Sequence, residues 1–214
     1  MLNNVKSPTG SRPKPIGVLQ QKRKSPIDLR ITLGHIFPTG NYKNLKGDRY
    51  GTDAMGLGSH QSILGLNFQR IDFITAKHAL RSRLNLSGQY ARKVHVEGLN
   101  SYGGGFGTKG VVNPGSLFQA DLAFEYQLTQ NWVPVFEINY TTRQRSTFSG
   151  TPGNSALGGV ARVGNGESNT LSLAPALEYN FNANIGVIAG VWFPITGRNA
   201  NNYLSGIVAV NYYR

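Results

Sequence analysis

Apolar and polar residues alternate with a period of two over ten or more positions, and they do so repeatedly along this 214-residue chain. Successive side chains of an extended strand point to opposite faces, so each such run specifies a strand with one apolar and one polar face. In residues 117–128 Phe118, Ala120, Leu122, Phe124, Tyr126 and Leu128 oppose Gln119, Asp121, Glu125 and Gln127. In 132–143 Trp132, Pro134, Phe136, Ile138 and Tyr140 oppose Glu137, Asn139, Thr141 and Arg143. In 170–181 Leu171, Leu173, Pro175, Leu177, Tyr179 and Phe181 oppose Thr170, Ser172, Glu178 and Asn180, and in 80–90 Leu80, Leu84, Leu86 and Tyr90 oppose Arg81, Arg83, Asn85, Ser87 and Gln89. Weaker runs at 27–37, with Asp28, Arg30 and Thr32 on the polar side, and at 61–71 add two strands, and the more uniformly apolar 185–194 and 203–213 add two more. The count is eight strands, and no segment carries a helical period.

The connectors sort by length. Long ones lie at 38–58, 92–115 and 144–168, whereas 72–78, Thr129-Gln130-Asn131 and Asn182-Ala183-Asn184 are short, and 196–202 is intermediate. Short turns at one end and long loops at the other are the pattern of an antiparallel up-and-down barrel in an outer membrane, with periplasmic turns and extracellular loops. The runs also approach the roughly 9–11 residues that a tilted strand needs to cross a bilayer, longer than strands of ordinary soluble sheets. Tyr126 and Trp132 flank one short turn and Tyr179 and Phe181 flank another, where an interfacial aromatic girdle belongs. Pro134 and Pro175 fall inside strands, which requires an edge or bulge position. A soluble β-sandwich is the competing all-β reading, because its strands alternate too.

Composition narrows the alternatives. Apolar residues make up 39% of the chain, yet no window approaches the roughly 18 consecutive apolar residues of a membrane-spanning helix. Cysteine is absent, which excludes disulfides and thiolate metal sites. The net charge of +12 resembles a nucleic-acid signal until it is located: Lys6, Arg12, Lys14, Lys22, Arg23 and Lys24 supply half of it, and no acid precedes Asp28. Residues 1–26, with four prolines and no apolar signal core, are read as an irregular basic segment, and 27–214 as the barrel domain. No nucleic-acid partner is expected.

In a barrel of this kind the polar face turns inward. Asp28, Arg30, Arg81, Arg83, Asp121, Glu125, Glu137, Arg143 and Glu178 are therefore the candidate lumen-lining residues. An eight-stranded barrel has an interior that side chains fill, which makes a non-conducting structural barrel the alternative to a channel.

The segment from Leu29 onward resembles the family of outer-membrane transporters named for the meta pathway of phenol degradation. The resemblance rests on Gly34-His35-Ile36-Phe37-Pro38-Thr39-Gly40-Asn41-Tyr42, on Gly56-Leu57-Gly58-Ser59, and on the pairs Glu125-Tyr126, Asn131-Trp132 and Glu178-Tyr179. It implies passive passage of small hydrophobic or aromatic compounds, and with the barrel reading the expectation is a bacterial outer-membrane location in contact with lipid and lipopolysaccharide, with no cofactor and no enzymatic activity. It also implies a signal sequence and a barrel of about 12 strands, of which this chain would be an N-terminally truncated part.

Other motifs weigh less. Gly105 to Val112 matches the glycine-loop patterns of kinases and dinucleotide-binding folds, but Asn113-Pro114-Gly115 and a strand follow where a helix is required, so the segment is read as a mobile outer loop. Asp48 and Asp53 lack the spacing of a calcium loop. His35, His60, His78 and His95 lack metal-ligand spacing. Lys43, Lys46, Arg49, Arg92, Lys93, Lys109, Arg145, Arg162 and Arg198 lie in or beside the long loops, where they could meet lipopolysaccharide phosphates. His60 and Ser62 share a strand face, the minimum for a lipid hydrolase, but no acidic partner is evident and no catalytic residue is assigned.

Overall fold

The computed structural model describes residues 25–49 and 51–212, so all but the last two residues of the basic segment 1–26 lie outside it. The described chain contains eleven strands: β1 (Asp28–Ile36), β2 (Gln61–Phe73), β3 (Ala79–Ala91), β4 (Val94–Glu97), β5 (Lys109–Asn113), β6 (Leu117–Tyr126), β7 (Trp132–Arg143), β8 (Thr147–Thr151), β9 (Ser168–Asn180), β10 (Ile185–Arg198) and β11 (Ser205–Tyr212). One 3-10 turn, Gly47–Arg49, is the only helical element among these residues. The eight strands expected from alternation form a single antiparallel sheet in the order β1-β2-β3-β6-β7-β9-β10-β11. Its strands reach 13 residues in β2, β3 and β9 and 14 in β10, beyond the length a tilted membrane crossing needs. β1 and β11 are its edges and are not paired with each other, so the sheet is open.

Three strands fall where the sequence offered only loops. β4, β5 and β8 form a second sheet, the cap, at the long-loop end, in the order β4-β5-β8. This order mirrors the neighbours β3, β6 and β7, since β4 follows β3, β5 precedes β6 and β8 follows β7. The second sheet is thus the continuation of three adjacent strands past a break at residues 92–93, 114–116 and 144–146. Pro114 has no N–H to donate and Gly115 adopts φ +79°, which explains the break on the middle strand. The expected mobile loop at 105–112 is corrected by this sheet: residues from Lys109 onward are β5, hydrogen-bonded between β4 and β8.

Burial is inverted relative to a soluble sheet. In the main sheet the buried residues are Gln61, Ala91, Ala123, Ser172 and Gly186, and the registers place all five on the polar face. Ser172 is fully buried and Ala123 is 4% exposed, whereas Leu64, Tyr90 and Leu177, on the apolar face of interior strands, are 49%, 62% and 45% exposed. Polar side chains crowd one another and apolar ones stand clear of the protein. A β-sandwich does the reverse, burying its apolar faces against each other.

The prolines sit at faults in the ladder. The β6–β7 pairing ends at Glu125 opposite Val135, so Pro134 is paired on one side only. Between β9 and β10, Ala176 pairs Gly190 and Leu173 pairs Phe193, which leaves Pro175 without a partner on that side. Gly190 is needed there, because a Cβ would lie 2.7 Å from the Pro175 carbonyl oxygen.

The buried apolar cluster of the described residues lies in the cap, where Val94, Val96, Tyr102 and Val112 pack with Tyr42, Leu57, Phe148 and Val163. The Tyr102 hydroxyl donates to the Leu57 carbonyl at 2.8 Å and fastens the 38–58 loop to the cap. Burial pushes its phenol up to about 12, against the opposing pull of the Arg143 guanidinium. Because the folded value exceeds that of an exposed phenol, near 10, the contribution is fully present below about pH 10 and is lost as pH rises toward about 12. In a tyrosinate absorbance titration, Tyr102→Phe should remove a phenol that ionises at about pH 12. A high-pH limb identical in both proteins would contradict the burial.

Candidate functional site

The registers bring all nine charged candidates to one face. Arg30, Asn67, Asn85, Asp121, Asn139 and Ser172 are successive cross-strand partners from β1 to β9 and form a row across the middle of the sheet. The row is bonded sideways: Asn67 donates to Asn85, Asn139 donates to Asp121, the Ser172 hydroxyl reaches the Asn139 side-chain oxygen at 3.5 Å, and the Trp192 indole N–H donates to Ser172 at 2.9 Å. One step toward the short-turn end lie Asp28, Arg83 and Glu137, and one step further lie Arg81 and Glu125. Glu178 is nearest the short turns, and Arg143 stands alone at the long-loop end of β7.

Glu125 joins two of these residues. Its two carboxylate oxygens accept from Arg81 at 2.8 Å and from Arg83 at 2.5 Å. Asp28, Arg30, Glu137, Arg143 and Glu178 share the face but none of the ion pairs found among the described residues. The short-turn side therefore carries four acids, Asp28, Glu125, Glu137 and Glu178, against Arg81 and Arg83, and the opposite end is basic. Such a face can solvate a polar group and discriminate by charge. Asn67, Ser172 and Trp192 complete the row although no charge marks them in the sequence.

The apolar face is banded by aromatic groups. At the short-turn end Trp132 meets Tyr179 at 4.6 Å between ring centroids, Tyr179 meets Phe181 at 4.9 Å, and His78 stacks on Tyr126 at 5.8 Å. An Arg70–Asp72 ion pair marks the same end of β2. At the long-loop end His35, Phe37 and His60 cluster, with His35 hydrogen-bonded to His60 at 3.1 Å and to Ser62 at 3.3 Å. Ser62 thus contacts His35 rather than His60, and the chain of contacts ends on a second imidazole, not on a carboxylate.

Of the loop cations, Arg198 is engaged by Glu167 at 2.6 Å, and Lys109 lies opposite Glu97 in the cap. The Lys43 ammonium lies 5.9 Å from the centroid of the Tyr42 ring. Asp53 accepts from the Lys46 N–H at 2.8 Å and closes its own loop, while Asp48 lies in the 3-10 turn. No family model matches the chain, and no curated protein matches its sequence.

Proposed function

We propose that the chain is a bacterial outer-membrane β-barrel protein, or the part of one that carries these eight strands, and that its polar face lines a passive channel for small hydrophobic or aromatic compounds. The observation that carries this reading is the inverted burial: the apolar face is open across the sheet while the polar face of the interior strands is crowded and hydrogen-bonded. Lipid is the solvent that makes the first arrangement favourable, and a narrow wet interior suits the second. The aromatic bands at both ends agree with two interfaces, and the resemblance to the phenol-pathway transporters agrees with aromatic solutes. The unpaired edges β1 and β11 run antiparallel, so the barrel closes through them directly or through further strands, since open edges do not persist in lipid.

Fractionation and gel mobility test this. The full-length product should sediment with outer membranes and migrate differently before and after heating, and vesicles containing it should take up a neutral aromatic such as benzyl alcohol faster than empty ones. A soluble product with no heat-dependent shift would sink the reading.

A further inference from the structure

A cavity of about 600 Å³ lies between the cap and the long-loop end of the main sheet, and its lining includes Arg143, Arg162, Asn165, Ser168 and Asn199. Its lining residues include two arginines and no acid. Both arginines are held by their backbones. Arg143 ends β7 between Leu117 and Ser168. The Arg162 carbonyl accepts from Gly104 at 2.9 Å, and on either side Ala161 donates to Gly153 and Gly164 donates to Tyr102. Gly103 makes this approach possible, with φ +99° and a position where a Cβ would lie 2.5 Å from the Arg162 carbonyl oxygen.

Neither guanidinium takes part in the ion pairs found among the described residues. The nearest acid along the chain, Glu167, is engaged by Arg198 at 2.6 Å. Two like charges lining one depression repel each other, and an anion between them relieves that repulsion while accepting their forked donors. Asn165, Ser168 and Asn199 add uncharged polar groups around it. Arg143 and Ser168 belong to the polar face of the sheet, the face of the proposed channel, and not to the face that carries Tyr140 and Thr142.

We infer that this cavity is an anion-binding vestibule that selects small carboxylate solutes, of the size of an aromatic acid, for the passage below it. The assignment rests on the channel reading and names a substrate class for it. A free solute, rather than a lipopolysaccharide phosphate, is the ligand, because Arg143 and Ser168 of the lining stand on the polar face of the sheet.

The test uses the full chain refolded in vesicles, with benzoate, its neutral analogue benzyl alcohol and inorganic phosphate as probes. The double variant R143Q/R162Q should lower benzoate uptake about tenfold and leave benzyl alcohol uptake within about twofold. The heat-dependent gel shift should be retained in every variant. R143K/R162K, which keeps charge but loses the fork, guards against misfolding of the glutamine variant and should fall between it and the parent. Equilibrium dialysis of benzoate against the detergent-solubilised protein separates the two claims. Arginine-dependent binding without uptake of either solute would keep the site and remove the channel. Uptake of both solutes at a ratio untouched by R143Q/R162Q would keep the channel and overturn the site. Binding of phosphate but not benzoate would overturn the carboxylate assignment.

Discussion

On the membrane reading proposed above, Leu122→Arg is expected to lower the stability of the protein by about 2–4 kcal/mol, the cost of a cationic side chain near a bilayer midplane on the outer surface of a strand. Leu122 lies mid-strand in β6, opposite Leu84 on one side and Ile138 on the other, with Ala120 and Phe124 sharing its face. An arginine there cannot reach the Arg70–Asp72 pair or the long-loop polar cluster that mark the ends of this face. Gln119→Arg is the matched control, since Gln119 faces Ser87 and Thr141 on the polar side, where water or Asp121 can accommodate the charge. Its expected cost is below about 1 kcal/mol. Urea titration of refolding into vesicles measures both. A midpoint unmoved by Leu122→Arg but moved by Gln119→Arg would exchange the two faces and remove the membrane assignment.

The contrast between these two positions was legible in the sequence, because the phase of an alternation is a property of one strand. Once Leu122 and Asp121 are adjacent in an alternating run, they must point opposite ways, and the same argument carries all nine charged candidates to one face. The cap was not legible. Val94-His95-Val96-Glu97 alternates over only four residues, and Lys109–Asn113 contains two adjacent valines and a glycine, so neither segment is long enough to separate period two from chance. What makes them strands is inheritance from β3, β6 and β7, whose pairing carries past the break at Pro114-Gly115. The polar row is a third kind of information. Asn67, Asn85, Asp121, Asn139 and Ser172 come together through inter-strand register, which turn lengths and bulges fix, and no single strand encodes it. The same holds for Ser62, whose partner His35 is a cross-strand neighbour, while the ring of His60, closer in sequence, is hydrogen-bonded to His35 instead.

Glu125→Gln is expected to act on selectivity more than on stability. The Glu125 side chain is 14% exposed and receives Arg81 and Arg83, which are 46% and 37% exposed, so water already screens much of each pair. The loss should be about 1–2 kcal/mol, with most of it arising from Arg83, whose Nε is buried without a partner and which depends on Glu125 for its charge. Double-mutant cycles should therefore give a larger coupling for Arg83–Glu125 than for Arg81–Glu125. The electrical effect runs further. Glu125 is the acid that pairs with both guanidiniums, so its removal takes the short-turn side from four acids against two arginines to three, Asp28, Glu137 and Glu178, against the same two. The short-turn end of the proposed path thus loses half of its excess negative charge, while Arg143 stays at the other end. Its reversal potential under a salt gradient across a planar bilayer should move toward anion preference, and the shift should shrink as ionic strength rises. If Glu125→Gln leaves both the potential and the folding midpoint unchanged, the Arg81–Glu125–Arg83 cluster faces neither the conducting path nor a partly dry interior, and the polar face would have to be assigned to bulk water.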